Sequence, residues 1–143
     1  MNLRPELPHE RDAIRSLLVG AALPVEDLDD TRVQFIVAID NDEPVAAIGL
    51  ESFGDAALLR SLVVHPLLRG MGIGGLLVDA LESLAREGGC NQLVLLTQTA
   101  APFFASRGYR VIERDTAPEN VRSAAEFRSL CPASATCMTK HLD

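Results

Sequence analysis

Four glycines lie within the six residues Gly70-Met71-Gly72-Ile73-Gly74-Gly75, and Arg69 precedes them. Glycine lets a ligand approach the backbone closely because it carries no side chain. Apolar residues repeat at helical spacing from Ile73 onward, so the segment lies at the start of a helix. The first turn of a helix presents unpaired N–H groups and the positive end of the helix dipole. The pattern therefore predicts a phosphate or pyrophosphate site, with Arg69 as an additional cation.

Two other families of phosphate-binding loop are disfavoured by what surrounds these glycines. Gly70-x-Gly72-x-x-Gly75 matches the dinucleotide fingerprint, but that fingerprint expects an acidic residue at the end of the next strand. Here the next strand ends in Leu95-Leu96-Thr97, without an acid. A nucleoside-triphosphate loop would need a Gly-Lys-Ser/Thr ending, which is missing. A nicotinamide-binding enzyme is thus a minor alternative.

The spacing of apolar residues predicts an α/β chain with one mixed sheet. Strands at about 33–39, 44–53 and 57–65, joined by short turns, form an antiparallel meander. The striped helix then crosses over to a parallel strand at about 92–96. We expect one domain over residues 1–143, with helices on both faces of the sheet. The other predicted elements are helices at 9–20, 25–30 and 100–107, a strand at 109–113, a helix from a Thr116–Glu119 capping box to about 128, and a strand at 136–141.

The third strand carries an interruption in its alternation. Leu59 and Leu62 are three residues apart, whereas Leu62 and Val64 are two apart. A strand with one face buried needs a spacing of two, so an extra residue has to be accommodated at Arg60-Ser61. The pattern predicts a β-bulge there.

The motif Arg69-x-x-Gly72-x-Gly74, after a strand that reads Leu62-Val63-Val64-His65-Pro66, resembles the acetyl-CoA signature of the GNAT N-acetyltransferase superfamily. The resemblance covers nearly the whole chain in element order and implies the GNAT fold, with acetyl-CoA as co-substrate. It implies that loop amides hold the pyrophosphate, that strand backbone pairs with the pantetheine arm, and that an amide freed by the bulge stabilises the thioester oxygen. The coenzyme-binding residues that it implies are Leu62, Val63, Val64, Arg69, Gly70, Met71, Gly72, Ile73, Gly74, Gly75, Thr97 and Phe104.

Residues 97–109 resemble the second signature of the same superfamily, with two departures. Thr97 stands where the family usually has Asn, and Phe104 stands where it usually has Tyr. The tyrosine often protonates the leaving thiolate of coenzyme A, and phenylalanine has no proton to give. General-acid help is typically worth about 10²–10⁴-fold, so its loss does not abolish activity. The departure also leaves open a non-catalytic, regulatory module that binds acetyl-CoA.

Acetylation of an amine requires a base near the acceptor nitrogen. Glu51 is the first candidate, because it interrupts an otherwise apolar strand; the alternative is a solvent-facing carboxylate at a strand end. His65 is a second candidate, although a histidine before a proline at a strand end is more often a surface residue. Ser61 lies in the predicted bulge beside the thioester and is grouped with Glu51 as catalytic.

Arg60, also in the bulge, could hold a substrate carboxylate bidentately, with an edge salt bridge as the alternative. Residues 127–137, with Leu59-Arg60-Ser61-Leu62, resemble a GNAT subgroup associated with arsenic resistance. That resemblance implies a pocket for a small amine acceptor, such as an amino acid or its arsenical or phosphinic analogue. The pocket residues that we expect are Arg60, Arg122, Arg128, Ser129 and Cys131. The alternative is that this segment simply covers the sheet.

The composition limits the partners. A net charge of −7 disfavours nonspecific binding to nucleic acid or to an anionic membrane, and the chain has no apolar run of about 20 residues. The N-terminus lacks the pattern of a signal peptide. Three cysteines predict a reducing, cytoplasmic setting, and Cys131 with Cys137 is too weak a pattern to predict a metal. The family resemblance also implies a homodimer.

Overall fold

The computed structural model describes residues 1–143 and contains one seven-stranded mixed sheet. The strands are β1 (Asn2–Pro5), β2 (Val33–Asp40), β3 (Glu43–Phe53), β4 (Ala56–Val64), β5 (Gln92–Thr97), β6 (Arg110–Val111) and β7 (Thr136–His141). The helices are α1 (Arg11–Gly20), α2 (Ile73–Glu87), α3 (Ala101–Ser106) and α4 (Glu119–Arg122), and a π-helical turn spans Glu126–Leu130. The strand order is β1-β2-β3-β4-β5-β7-β6. None of the helices combines the length and apolar character needed to cross a bilayer.

The centre of the sheet follows the expected topology. β2, β3 and β4 pair as an antiparallel meander, and β4 pairs with β5 in parallel after the α2 crossover, so both predictions are confirmed. The parallel pairing joins only Ala56–Leu58 of β4 to Gln92–Val94 of β5. Beyond these residues the two strands no longer pair with each other, although β4 stays paired with β3 up to Val64 and β5 with β7 up to Thr97. The sheet is therefore open between the carboxyl ends of its two central strands.

Alternate side chains of the strands meet helices on opposite faces, because successive residues of a strand point to opposite sides. On one face, Leu77 and Leu81 of α2 pack in the largest core cluster with Ile48 and Leu59. On the other face, Ile14 of α1 packs in a second cluster with residues of β2, β3 and β4. α4 packs on a third cluster around the β4–β5 pairing. The predicted three-layer arrangement is confirmed.

Two predicted helices are wrong: the first is absent and the second is shorter than expected. Residues 25–30 form successive turns, with backbone bonds such as Leu28 N–H to Val25 O, and Asp27 in these turns binds Arg60 instead of facing solvent. The Thr116–Glu119 capping box is absent, because the Thr116 hydroxyl donates to Glu113 O and Pro118 occupies the N-cap. The helix that follows is only α4 and is succeeded by the π-helical turn.

The two ends of the sheet also differ from expectation. β1 was not predicted, because its four residues contain Pro5 and too little alternation to mark a strand. The strand expected at 109–113 is reduced to β6, which pairs with β7 at the sheet edge. The final strand has the predicted bounds, 136–141. These edge strands cover the flanks of the sheet and leave the central opening unaffected.

Helix α2 positions the glycine segment, and the packing of this helix on the sheet should contribute measurably to the free energy of unfolding. We expect Leu77→Ala to lower the free energy of unfolding by about 2–5 kcal/mol, because Leu77 is fully buried between α2 and the sheet. The matched control is Leu76→Ala, because the neighbouring Leu76 is 54% exposed; it should change the stability by less than about 0.5 kcal/mol. Chemical denaturation of both variants measures the difference, and equal losses would show that α2 is not docked as described.

Candidate functional site

The predicted bulge is present in β4. Ile48 of β3 lies opposite two residues of β4, Ser61 and Leu62, where the register shifts. Ser61 has φ of 60°, in the left-handed region that non-glycine residues seldom adopt. A bulge bends its strand and re-aims the following residues. The bend lies just beyond Leu58, the last residue of β4 that pairs with β5, so it contributes to the opening between the two strands.

A cavity of about 790 Å³ passes through this opening. Its walls include the parts of β4 and β5 that do not pair with each other, the glycine segment, and Phe103 and Phe104 on the α2 side. The loop 21–24, Cys131 and Ala135 line it as well. Because loop 21–24 packs with the cluster on the α1 face, the cavity connects the two faces of the sheet. Two molecules entering from opposite faces would meet beside the bulge.

The glycine segment has the backbone shape that an anion site requires. Gly70 and Gly72 have φ of 83° and 81°, which other residues rarely adopt, and Gly72 is the N-cap of α2. The first-turn N–H groups of α2 therefore have no partner in the helix and lie at the cavity wall. Arg69 is exposed beside them, and its Nε donates to Val64 O at 3.3 Å. The segment can hold a phosphate group through amides, the helix dipole and one guanidinium.

Most of the residues that the family resemblance implied for coenzyme binding lie together in the cavity wall. Met71 is the exception, since it is 66% exposed and lies outside that wall. Its neighbours form a continuous lining from the bulge to the start of α2. The predicted residues that line the cavity are Leu62, Val63, Val64, Arg69, Gly70, Gly72, Ile73, Gly74, Gly75, Thr97 and Phe104.

Arg60 belongs to the cavity wall, but its side chain is 0% exposed and contacts three carboxylates. Its Nη1 donates to Asp27 Oδ2 at 2.6 Å and to Glu51 Oε1 at 3.0 Å, and its Nη2 donates to Asp27 Oδ1 at 2.8 Å. Glu126 Oε2 lies 3.2 Å from Nη2, and Nε donates to Ser61 Oγ at 3.2 Å. These five contacts match the five N–H groups of a guanidinium. We call Arg60, Asp27, Glu51 and Glu126 the Arg60 cluster.

Charge in the Arg60 cluster is not balanced, because three carboxyl groups share one guanidinium. Burial would raise the pKa of Asp27, but the hydrogen bonds and charge of Arg60 outweigh it and lower that pKa. For Glu126, burial together with the charges of Asp27 and Glu51 outweighs Arg60 and raises the pKa to about 7. The pKa of Arg60 itself is raised, because its carboxylate partners outweigh its burial. Glu126 is therefore the member that exchanges a proton near neutral pH.

Several predicted acceptor and catalytic residues lie elsewhere than expected. Arg60 is placed beside the cavity as predicted, but its buried guanidinium is bound by Asp27, Glu51 and Ser61, which favours a salt bridge over a substrate carboxylate. Glu51 is buried in the Arg60 cluster and is not part of the cavity wall. Arg128 and Ser129 are exposed and lie outside that wall, because the π-helical turn carries them to the surface. Ser61 and Cys131 do line the cavity.

Sequence reasoning missed Asp27 and Glu126, although both are buried partners of Arg60. Asp27 is one of several acids in its loop, and Glu126 follows a helical pattern, so neither stands out locally. The available signal was Arg60 itself. An arginine inside an apolar strand needs buried counter-charges, and Glu51 alone would leave most of its donors unsatisfied.

Tyr109 does not replace the missing tyrosine at position 104. Its ring packs edge-to-face on Phe104, but its hydroxyl donates to Glu82 Oε2 at 2.9 Å on the side away from the cavity wall. Burial and the charge of Glu82 raise the pKa of Tyr109, which makes its proton harder to donate. Lys140 also binds Glu82, so the group is a structural network under α2. The hydroxyl of the chain's single tyrosine is therefore occupied by this network.

Comparison with known proteins agrees with this geometry. The model of the acetyltransferase (GNAT) domain family matches residues 31–111. The uncharacterized N-acetyltransferase YjcF of Bacillus subtilis (strain 168) is 33% identical over 95 residues, which cover 66% of this chain and 67% of YjcF.

Solved structures share the fold at low sequence identity. Rv2747 from Mycobacterium tuberculosis, in complex with CoA and NLQ, has a TM-score of 0.80 and 23% identity, with 100% of both chains covered. N-acetylglutamate synthase from Neisseria gonorrhoeae, complexed with coenzyme A and L-arginine, has a TM-score of 0.82 and 21% identity. The match covers 99% of this chain but only 33% of the synthase. Because the family model matches more than half of its residues, this chain belongs to the GNAT acetyltransferases, which are N-acetyltransferases that use acetyl-CoA.

Proposed function

We propose that this chain transfers the acetyl group of acetyl-CoA to the amine of a small molecule. The observation that carries the proposal is the opening between β4 and β5, which joins the glycine segment on one face to the Cys131 side on the other. A coenzyme bound on the α2 face would present its thioester at the bulge. An acceptor entering from the opposite face would reach the same point, which is the geometry that acyl transfer needs.

For the donor, the pyrophosphate would bind at Arg69 and Gly70–Gly75 of the glycine segment. The pantetheine arm would run along Leu62–Val64, where β4 has unpaired backbone groups facing β5. An extended ligand can pair with such an exposed strand edge as an added strand. The structures of Rv2747 and of N-acetylglutamate synthase were determined with coenzyme A, and their shared fold supports the same co-substrate here.

At the reacting centre, the bulge at Ser61–Leu62 would direct a backbone amide at the thioester oxygen. A preorganised amide stabilises the negative charge that develops on that oxygen during attack. Phe104 lines the cavity, where its ring would contact the coenzyme but could not donate a proton to the thiolate. Catalysis would thus depend on positioning, on this amide and on removal of a proton from the acceptor, for which Glu51 and its partners in the Arg60 cluster are the nearby acids.

On the acceptor side, Ala21–Pro24 and Ala135 give the cavity wall a mainly apolar character. This supports a small amine, of the size of an amino acid or its phosphinic or arsinic analogue. A carboxylate on that amine would find no free donor on Arg60. Arg69, the other cation in the cavity wall, lies at the coenzyme end. We therefore favour simple amines over their α-carboxylated counterparts.

A second candidate function is a regulatory module that binds acetyl-CoA without turnover. Phe104 favours it, because the usual proton donor for the thiolate is absent. The two candidates share the coenzyme site and differ in the acceptor side. Release of free thiol in the presence of amines separates them.

Coenzyme binding should depend on Arg69. We expect Arg69→Ala to raise the Kd for acetyl-CoA about ten-fold, because one charged hydrogen-bond partner of the pyrophosphate is lost. The remaining affinity should also be less sensitive to salt. Isothermal titration at two salt concentrations measures both effects. The matched control is Arg86→Ala, at the exposed C-terminal end of the same helix, which should leave the Kd unchanged. Equal effects of the two substitutions would remove the glycine segment as the phosphate site.

The acceptor preference can be tested with matched pairs of amines. A free-thiol assay would compare phenethylamine with phenylalanine, cadaverine with lysine, and agmatine with arginine, and would include phosphinic and arsinic amino acids. We expect the member without a carboxylate to have the larger kcat/KM in each pair. A consistent preference for the amino acids would show that another cation binds their carboxylate. Tight coenzyme binding without thiol release from any amine would support the regulatory module instead.

A further inference from the structure

Cys131 places a thiol in the cavity wall, directly in front of a buried acid. Its backbone N–H donates to Glu126 O at 3.1 Å, so the π-helical turn fixes the two residues together. The Cys131 side chain lines the cavity, whereas Glu126 is only 4% exposed and lies behind it in the Arg60 cluster. The thiol and the Glu126 carboxyl group are close enough for each to shift the pKa of the other. Two polar side chains therefore lie between the cavity and the cluster: the Cys131 thiol on the Glu126 side, and the Ser61 hydroxyl, which accepts from Arg60 Nε.

Among the three carboxylates, Glu126 is held least firmly. Asp27 forms two hydrogen bonds with Arg60, at 2.6 and 2.8 Å, and Glu51 forms one at 3.0 Å. Glu126 makes only a 3.2 Å ion-pair contact with the same guanidinium. One positive charge does not compensate three negative ones in a buried site, so the least firmly held acid is the one that takes up a proton.

Resting on the proposed function, we propose that Cys131 and Glu126 together remove the proton from the acceptor's ammonium group, with Cys131 as the group that touches the acceptor and Glu126 acting through it. The geometry suits this role because none of the three acids of the cluster belongs to the cavity wall, whereas Cys131 does. Ser61, the other polar side chain between the two, contacts Arg60 and not a carboxylate. Glu51 hydrogen-bonds to the guanidinium.

The protons and electron pairs balance. The ammonium nitrogen gives one proton to Cys131 Sγ while the S–H proton passes to a Glu126 oxygen, so the thiol is unchanged and the carboxylate becomes neutral. The freed lone pair attacks the thioester carbon, and the C–S bond breaks as the C–N bond forms. The second nitrogen proton goes to the departing coenzyme A thiolate. Glu126 then returns its proton through Cys131 to solvent.

The electrostatic environment agrees with this sequence of steps. Burial and the charges of Asp27 and Glu51 raise the pKa of Glu126 to about 7, against the opposing charge of Arg60. Burial and the charge of Glu126 raise the pKa of the Cys131 thiol to about 12, against the weaker opposing effects of Arg114 and Arg60. A thiol with so high a pKa relays a proton without accumulating as a thiolate, and the carboxylate behind it becomes the proton's destination.

The pH dependence of kcat/KM tests the pair, with the best amine of the matched pairs as acceptor. The wild-type rate should rise with pH through about 7, because only ionised Glu126 accepts a proton. In Glu126→Gln we expect a loss of about 100-fold at pH 7. The rise of kcat/KM near pH 7 should disappear in this variant. Its rate should recover toward that of the wild type as the pH passes the amine's own pKa. A merely structural role for Glu126 would lower the rate equally at every pH.

Cysteine variants separate the relay from the packing. Cys131→Ala should lower kcat/KM by about ten-fold or more at pH 7, and Cys131→Ser should restore most of the rate because a hydroxyl also relays protons. Cys137→Ala removes the other thiol of the same chain region, which is buried in the α4 cluster outside the cavity, and should leave kcat/KM unchanged. A wild-type rate in Cys131→Ala would overturn the relay. A limb near 7 that survives Glu126→Gln but disappears in Glu51→Gln would assign the proton to Glu51.

A measurement that does not require turnover distinguishes the Cys131–Glu126 pair from the proposed acetyltransferase function. Alkylation of Cys131 by iodoacetamide, followed by mass spectrometry across pH, should have its midpoint at lower pH in Glu126→Gln than in the wild type, with Cys137 as the internal reference. Thermal unfolding at pH 8 should show that this variant remains folded, because a neutral amide avoids burying an ionised group. An unshifted midpoint in folded protein overturns the pair. Absence of thiol release from the wild type, with the shift present, overturns the proposed function and the catalytic use of the pair, but not the coupling.

Discussion

The guanidinium of Arg60 is fully buried at the centre of the sheet, and a buried charge is tolerated only where opposite charges and acceptors surround it. That requirement draws together β3 through Glu51, the loop before β2 through Asp27, and the π-helical turn through Glu126. The cluster lies on one face of the sheet, between the apolar cluster under α1 and the one under α4. Removing Arg60 would leave three buried carboxyl groups without a counter-charge, so these segments depend on one another through it.

The same residue connects the cluster to the bulge, because Arg60 immediately precedes Ser61 and donates to its hydroxyl. The left-handed backbone of Ser61 is sparsely populated and persists only where its surroundings fix it. The Arg60 contacts on one side and the β3 register on the other provide that constraint. The opening between β4 and β5 therefore depends on a polar cluster whose three acids lie outside the cavity wall. In the proposed function, the position of the thioester and the placement of the proton acceptor would derive from this one arrangement of side chains.

Features that depend on neighbours in sequence could be predicted, and those that depend on distant residues could not. The helix after Gly72, the meander and the break in alternation before Leu62 each follow from spacing within about ten residues. The Arg60 cluster joins residues 33 and 66 positions from Arg60, and no local pattern encodes that meeting. The turns at 25–30 escaped prediction for the same reason, since Asp27 binds the distant Arg60. The helix after Thr116 begins later than predicted because the Thr116 hydroxyl donates back to Glu113 O and caps no helix. Arg60 stands out in the sequence as a charge inside an apolar strand, but its partners Asp27 and Glu126 could not be identified there.

An ion cluster of this kind is not the most stable solution for a buried site. Well-packed apolar side chains of similar volume are often as stable or more stable by about 1–4 kcal/mol, because they avoid the desolvation of charged groups. Stability alone therefore does not explain three acids around one arginine, because the third carboxyl group adds repulsion to the two that already hydrogen-bond to the guanidinium. The third acid, Glu126, is the one with the raised pKa and the one that faces Cys131. Its presence is explained if the site needs a group that is ionised in one step of a reaction and neutral in the next.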